Sequence, residues 1–179
     1  MPATLIDIGS IAELNFIRTE GDAITIGAAT QHATVAASAD VQKHNAALAH
    51  LAGEIGDPAV RHRGTIGGSL ANNDPAADYP SAALALDAKI KTNKRLIESD
   101  VFFKGMFETA LEEGEIITEV TFPHPSKAAY VKFPNPASRY SMVGVFVADT
   151  PAGIRVAVTG AGADGVFRVK EMEDALAKN

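Results

Sequence analysis

Glycines, hydroxyls, amides, carboxylates and arginines crowd together in one stretch, Asp57-Pro58-Ala59-Val60-Arg61-His62-Arg63-Gly64-Thr65-Ile66-Gly67-Gly68-Ser69-Leu70, continuing through Asn72-Asn73-Asp74-Pro75-Ala76-Ala77-Asp78-Tyr79-Pro80. Paired glycines let a ligand approach the main chain where a side chain would block it, and they can adopt the positive φ values that turn successive N–H groups toward one anion. Gly67 and Gly68 can therefore line a phosphate cradle, with the hydroxyls of Thr65 and Ser69 as flanking donors. Asp78, an acceptor without a donor of its own when ionised, suits a sugar hydroxyl or a ring N–H. Together these groups suit a nucleotide better than a bare phosphate. A plainer reading fits the same residues: Gly-Gly and Asn-Asn-Asp-Pro also describe a strand end and a tight turn, with Asp78 capping the helix that follows. Spacing leaves both open, because short glycine motifs recur by chance. Arg61 and Arg63 can neutralise a phosphate or pair with solvent and carboxylates.

The run Val60 to Ser69, followed by Asp74 to Pro80, resembles the second flavin-binding segment of the medium, flavoprotein subunit of molybdenum hydroxylases. This is the family of aerobic carbon monoxide dehydrogenase and of the FAD domain of xanthine dehydrogenase. The likeness extends through Leu5-Ile6-Asp7-Ile8-Gly9, Ile26-Gly27-Ala28-Ala29-Thr30 and Tyr130-Val131-Lys132-Phe133 to Pro136-Ala137-Ser138, and so covers nearly the whole chain.

The resemblance implies an FAD-binding oxidoreductase subunit of the carbon monoxide/xanthine dehydrogenase type. It also implies two partners, an iron–sulfur small subunit and a molybdenum large subunit. Electrons would arrive from the clusters and leave the flavin to an external acceptor, a role that suits a flavin because it couples one-electron and two-electron partners. By the same resemblance Thr65, Ile66, Gly67, Gly68 and Ser69 hold the pyrophosphate, Asp78 contacts the cofactor, Ile117 lies near the isoalloxazine and Lys132 stands at the flavin side. It implies no catalytic acid or base in this chain. Family members carry an earlier Ala-Gly-Gly-x-Ser loop before the Leu-Ile-Asp-Ile-Gly strand and a longer C-terminal domain. With half the cradle missing, the polypeptide alone is expected to be mostly flavin-free, since each charge-assisted contact is worth about 1.5–3 kcal/mol. The alternative is a non-enzymatic α+β interaction module that has lost flavin binding.

The elements that must hold these residues follow from periodicity. Thr4 to Ile8 reads as a strand, and Leu14 to Arg18 with Ala23 to Gly27 reads as a hairpin turning at Glu20-Gly21-Asp22. Thr30 to Ala37 and Val41 to Ile55 have helical spacing, with Ala47, Leu48, Leu51 and Ile55 on one face and Gly56 as the stop. Ser81 to Leu86 reads as a helix. Ala88 to Thr92, Leu96 to Glu98 and Glu115 to Phe122 read as strands, and Phe102, Phe103, Met106 and Phe107 as a helical core segment. Pro123-His124-Pro125-Ser126 is the clearest break. It divides the chain into 1–124, the second subdomain of an FAD-binding domain, and 125–179, a truncated C-terminal domain. In the second part Ala128 to Phe133, Met142 to Val147 and Ile154 to Thr159 form a three-stranded antiparallel sheet, followed by a helix over Lys170 to Lys178. The expected class is α+β, a mainly antiparallel sheet with flanking helices, rather than alternating βαβ.

Composition narrows the classes further. A net charge of -6 without a basic block argues against a nucleic-acid surface. The absence of cysteine excludes disulfides and iron–sulfur ligation by this chain. No apolar run reaches about 18 residues and no signal-peptide pattern opens the chain, so a cytoplasmic location without a membrane span is expected. Gly160 to Gly165 spells G-x-G-x-x-G, but the chain continues in extended style and lacks room for the acidic partner, which favours a hairpin turn. The five histidines show no metal-ligand spacing. Asp74 and Asp78 flank Pro75 as capping residues rather than as an acid–base pair.

Overall fold

The computed structural model describes residues 3–178; residues 1, 2 and 179 of the expected domain ranges lie outside the described residues. After a 3-10 turn at Ala12–Leu14, β1 (Ile17–Glu20) and β2 (Ala23–Gly27) form the expected hairpin, with Gly21 at φ 56°. Helices α1 (His32–Ala37), α2 (Ala39–His44) and α3 (Ala46–Glu54) follow. The single helix expected over Val41 to Ile55 is thus two. Asn45 leaves the helical region at φ -155°, and its side chain caps α3 by accepting from the Leu48 N–H at 3.1 Å. Gly56 terminates α3 at φ 50°, as a C′ glycine does.

Three short helices carry the chain across the candidate cradle: α4 (Pro58–Arg61), α5 (Ile66–Asn72) and α6 (Tyr79–Ala85). Then come β3 (Lys89–Thr92), β4 (Leu96–Glu98), α7 (Ser99–Phe102), β5 (Phe103–Gly105), β6 (Glu108–Thr109) and β7 (Ile117–Pro123). The chain finishes with β8 (Lys127–Pro134), β9 (Ser141–Thr150), β10 (Gly153–Thr159), β11 (Phe167–Arg168) and α8 (Lys170–Leu176). Among the described residues the strands form a five-stranded sheet ordered β1-β2-β7-β3-β4, a four-stranded sheet ordered β11-β10-β9-β8 and the small pair β5-β6. Every pairing is antiparallel, as the α+β expectation required.

The middle of the molecule decides where the site lies. Helix α5 packs on β2 and β7 of the first sheet, α6 packs on β9 and β10 of the second, and the two helices pack on each other. Ile66 and Leu70 of α5 and Leu84 and Leu86 around α6 join Ile24, Val120, Tyr130 and Phe146 in one continuous buried cluster. Each such fully buried apolar side chain contributes about 1.5–3 kcal/mol. The N-termini of α5 and α6 carry Thr65 and Asp78 and are therefore fixed by the core of both sheets.

Three expectations are corrected. Thr4 to Ile8 forms no strand and pairs with none among the described residues, and Leu5 and Ile6 are exposed. The aromatic segment is not a helix: Phe102 ends α7, while Met106 and Phe107 form the exposed tip of the β5–β6 hairpin. Asn73 overrides the helical spacing by donating from Nδ2 to the carbonyls of Gly105 at 2.8 Å and Glu108 at 2.9 Å. The second sheet gains a fourth strand, because Phe167–Arg168 pairs with Val158 and Ala157. The Gly160 to Gly165 segment is the turn of that antiparallel pair, with both end glycines at positive φ, and opens no helix.

Candidate functional site

Gly67-Gly68 is the first turn of α5, not a strand end. Thr65 sits at the N-cap with φ -124° and ψ 156°, and its Oγ1 accepts from the Gly68 N–H at 3.2 Å. The Gly67 N–H donates to Ala28 O at 2.9 Å and the Ile66 N–H to Thr30 O at 3.2 Å. This corrects the expected role of the paired glycines, because both of their amides are engaged inside the protein. What Gly68 offers a ligand is bare α-carbon surface. Gly68 is exposed, and a Cβ added to it would meet only the Thr65 hydroxyl within 4 Å, at 3.0 Å.

Asp78 takes the position before α6, but its side chain caps nothing. Its backbone is already helical at φ -77° and ψ -47°, which turns the carboxylate away from the helix N–H groups toward the second sheet. There Oδ1 accepts from the Tyr130 hydroxyl at 2.5 Å and the Ser141 hydroxyl at 2.9 Å, and Lys132 Nζ lies 3.0 Å from Oδ1 and 3.1 Å from Oδ2. Lys132 also donates to Glu54 O at 3.0 Å. Burial, and then the adjacent Asp78 charge, push the Tyr130 phenol well above its usual range, so it remains a neutral donor.

Two cavities open on either side of the α5 N-terminus. The first, about 380 Å³, is lined by Arg63, Thr65, Gly68, Ser69, Asn72 and Asp78 together with the Ser138-Arg139-Tyr140 loop and His32. The second, about 370 Å³, has Ala28, Ala71, Leu111, Ile116 and Ile117 in its wall beside Gly67. Arg63, Thr65 and Gly68 line both. The Arg63 guanidinium is exposed and unpaired among the described residues, whereas Arg61 is committed to the carbonyls of Ile55 and Gly56, both at 2.9 Å.

The candidate residues thus separate by location. Thr65, Gly67, Gly68 and Ser69 line cavity surface, Ile66 is fully buried in the core, and Asp78 borders the first cavity. Ile117 belongs to the second cavity, while Lys132 stands behind the first through its bond to Asp78, so the two do not flank one space. Glu115 also reaches the second cavity, but Arg95, Thr92 and the Glu112 N–H saturate it and hold its carboxyl down to about 2. Ser141 and the Arg139-Tyr140 pair had no signal in the spacing. Arg139 holds a left-handed φ of 61° at the cavity rim, and no sequence pattern announces that. His32, held down to about 4 by burial and then by the Arg61 charge, presents a neutral ring to the first cavity. Among the described residues no group of three or more histidine, cysteine, aspartate or glutamate side chains is placed to hold a metal ion, and no helix is long and apolar enough to cross a membrane.

An elongated dinucleotide has two planar ends joined by a diphosphate, and this surface offers two cavities joined at one ridge. The ridge carries an unpaired guanidinium in Arg63, the Thr65 and Ser69 hydroxyls, and a glycine whose side a Cβ would occupy, so FAD fits the residues present. The model of the FAD binding domain in molybdopterin dehydrogenase matches residues 1–125. The nicotine 6-hydroxylase medium subunit of Paenarthrobacter nicotinovorans is 35% identical over 98% of this chain and 65% of its own length. The carbon monoxide dehydrogenase medium chain of Hydrogenophaga pseudoflava is 36% identical over 88% of this chain and 59% of its own. A solved carbon monoxide dehydrogenase from Hydrogenophaga pseudoflava superposes with a TM-score of 0.87 at 34% identity, covering 94% of this chain and 63% of that one. The chain therefore spans about two thirds or less of the length of these relatives. With a family model matching well over half of its residues, the chain belongs to the family of FAD-binding domains of molybdopterin dehydrogenases.

Proposed function

We propose that this chain binds FAD along the α5 ridge as part of the medium subunit of a molybdenum hydroxylase, and relays electrons from an iron–sulfur partner subunit, fed by a molybdenum subunit, to an external acceptor. The observation that carries the reading is the shared rim of Arg63, Thr65 and Gly68, where the two cavities meet beside the hydroxyl of Ser69. Bound flavin would supply the coupling of one-electron to two-electron transfer. The residues of the chain bind and orient. Arg63 neutralises the diphosphate, the hydroxyls donate to it, and Gly68 leaves room for it. The wall around Ile117 excludes water from one planar end, and Asp78, held by Lys132, accepts from a donor at the other. We further propose that the unit boundary falls at residues 124/125, supported by the end of β7 at Pro123 and by a family match that stops at residue 125.

Titration of the chain with FAD, read by quenching of flavin fluorescence, tests the proposal. Saturable one-to-one binding, weak enough that the chain purifies mostly flavin-free and weaker still in R63A and S69A, is the expected result. A chain that shows no saturation up to millimolar FAD would favour the interaction-module reading, for which the internally bonded amides of Gly67 and Gly68 are the favouring observation.

A further inference from the structure

The two oxygens of Asp78 are unequally served. Oδ1 accepts from Tyr130 at 2.5 Å and Ser141 at 2.9 Å and has Lys132 Nζ at 3.0 Å, whereas Oδ2 has Lys132 alone, at 3.1 Å. A carboxylate oxygen has about two lone-pair directions, so Oδ1 is saturated and Oδ2 keeps one open. The Tyr130 and Ser141 oxygens also lie 3.3 Å apart, yet each hydroxyl has one proton and both protons go to Oδ1. Neither hydroxyl borders the first cavity, while Asp78, itself 4% exposed, does. Gly144 makes the arrangement possible. It faces Lys132 across β8 and β9, and a Cβ there would lie 2.5 Å from the Tyr130 hydroxyl.

We propose that Tyr130 and Ser141 are positioning residues that saturate Oδ1 of Asp78, so that Oδ2 presents a single acceptor to a hydroxyl or N–H of the ligand in the first cavity. The inference rests on the FAD reading and deepens it. FAD carries such donors in both halves, on the ribityl chain and flavin ring and on the ribose and adenine. The cavity therefore selects for a donor at this point and against an anionic oxygen.

The experiment titrates wild type, Y130F, S141A, D78N and Y130F/D78N with FAD and, separately, with ADP, alongside thermal denaturation. Y130F and S141A are each expected to bind FAD about tenfold more weakly, the scale of one hydrogen bond to a charged group. Y130F is expected to add no further loss in the D78N background, a coupling that a merely structural role would not produce. Weakening toward ADP as well places the contact on the adenosine half; weakening toward FAD alone places it on the flavin half. If Y130F fails to fold, S141A, which removes one hydroxyl and little packing, carries the test. Wild-type affinity in Y130F and S141A, or independent losses in the double variant, overturns this inference and leaves the FAD reading standing. Wild type that binds no FAD overturns both.

Discussion

The N–H of Gly67 donates to the carbonyl of Ala28 at 2.9 Å, and a Cβ on Gly67 would lie 2.5 Å from the Ala28 Cβ. Gly67 is therefore a packing residue that brings α5 onto the end of β2, whereas a Cβ on Gly68 one position on would meet only the Thr65 hydroxyl, at 3.0 Å. G67A is expected to lose about 1–3 kcal/mol through overpacking. G68A is expected to stay within about 1 kcal/mol of wild type, since a better helix former offsets the squeeze on the Thr65 hydroxyl, and to weaken FAD instead. Thermal denaturation paired with FAD titration separates the two, and a G67A variant as stable as wild type would refute the packing account.

Thr65 holds the start of α5 through its bond to the Gly68 N–H. T65A is expected to cost about 1 kcal/mol, with T65S restoring most of it, because the hydroxyl oxygen rather than the methyl group makes the cap. Urea midpoints of the three proteins measure this directly.

Lys132 and Asp78 are 2% and 5% exposed at their side chains. Removing one partner leaves the other charged in a dry place, so D78A is expected to cost about 3–5 kcal/mol. D78A/K132M, which leaves no charge behind, should recover a substantial part. Equal stability of the single and double variants would show that the ammonium of Lys132 finds solvent on its own.

Arg63 borders both cavities and is unpaired among the described residues. R63A is expected to weaken FAD about tenfold, the scale of one charge-assisted hydrogen bond, with little change in melting temperature. The difference should shrink as salt rises, since exposed charges are screened within about 10 Å at 0.1 M. Calorimetric titration at two ionic strengths reads both effects.

The pH dependence has two windows. His32 titrates near 4 in the folded chain against 6.5 unfolded, because burial and Arg61 disfavour its charged form. The unfolded chain then takes up the proton first, so about 3 kcal/mol of stability is complete above pH 6.5 and is lost as pH falls to 4. The carboxyls of Glu115 and Glu173 are held to about 2 against 4.5. Hydrogen bonds from Arg95 and Thr92 lower Glu115. At Glu173 burial acts in the opposite direction and is overcome by Arg168, the Val156 N–H and Lys170. Their contribution is complete above pH 4.5 and is lost between there and 2. An imidazole NMR titration of His32 and denaturation midpoints from pH 7 to 2 check each window.

The sequence by itself was enough for the class of fold, the β1–β2 hairpin, the stop at Gly56, the break after β7 and the stretch in which the candidate site lies. These rest on local signals: alternation for strands, a left-handed glycine after a helix, prolines that end a ladder, and a concentration of glycine and hydroxyl residues. Tertiary structure alone decided what the concentrated residues do. Gly67 gave its amide to Ala28, and Ile66 went into the core. Asp78 turned from the helix it precedes toward Tyr130, Lys132 and Ser141, which lie 52 to 63 residues away in the chain. Asn73 broke the helical spacing of the Phe102 to Phe107 segment in the same way. The reason is common to Gly67, Asp78 and Asn73: a buried amide or carboxylate must be satisfied, and which partner satisfies it depends on what the packing of distant strands brings within about 3 Å, a distance that sequence spacing does not encode.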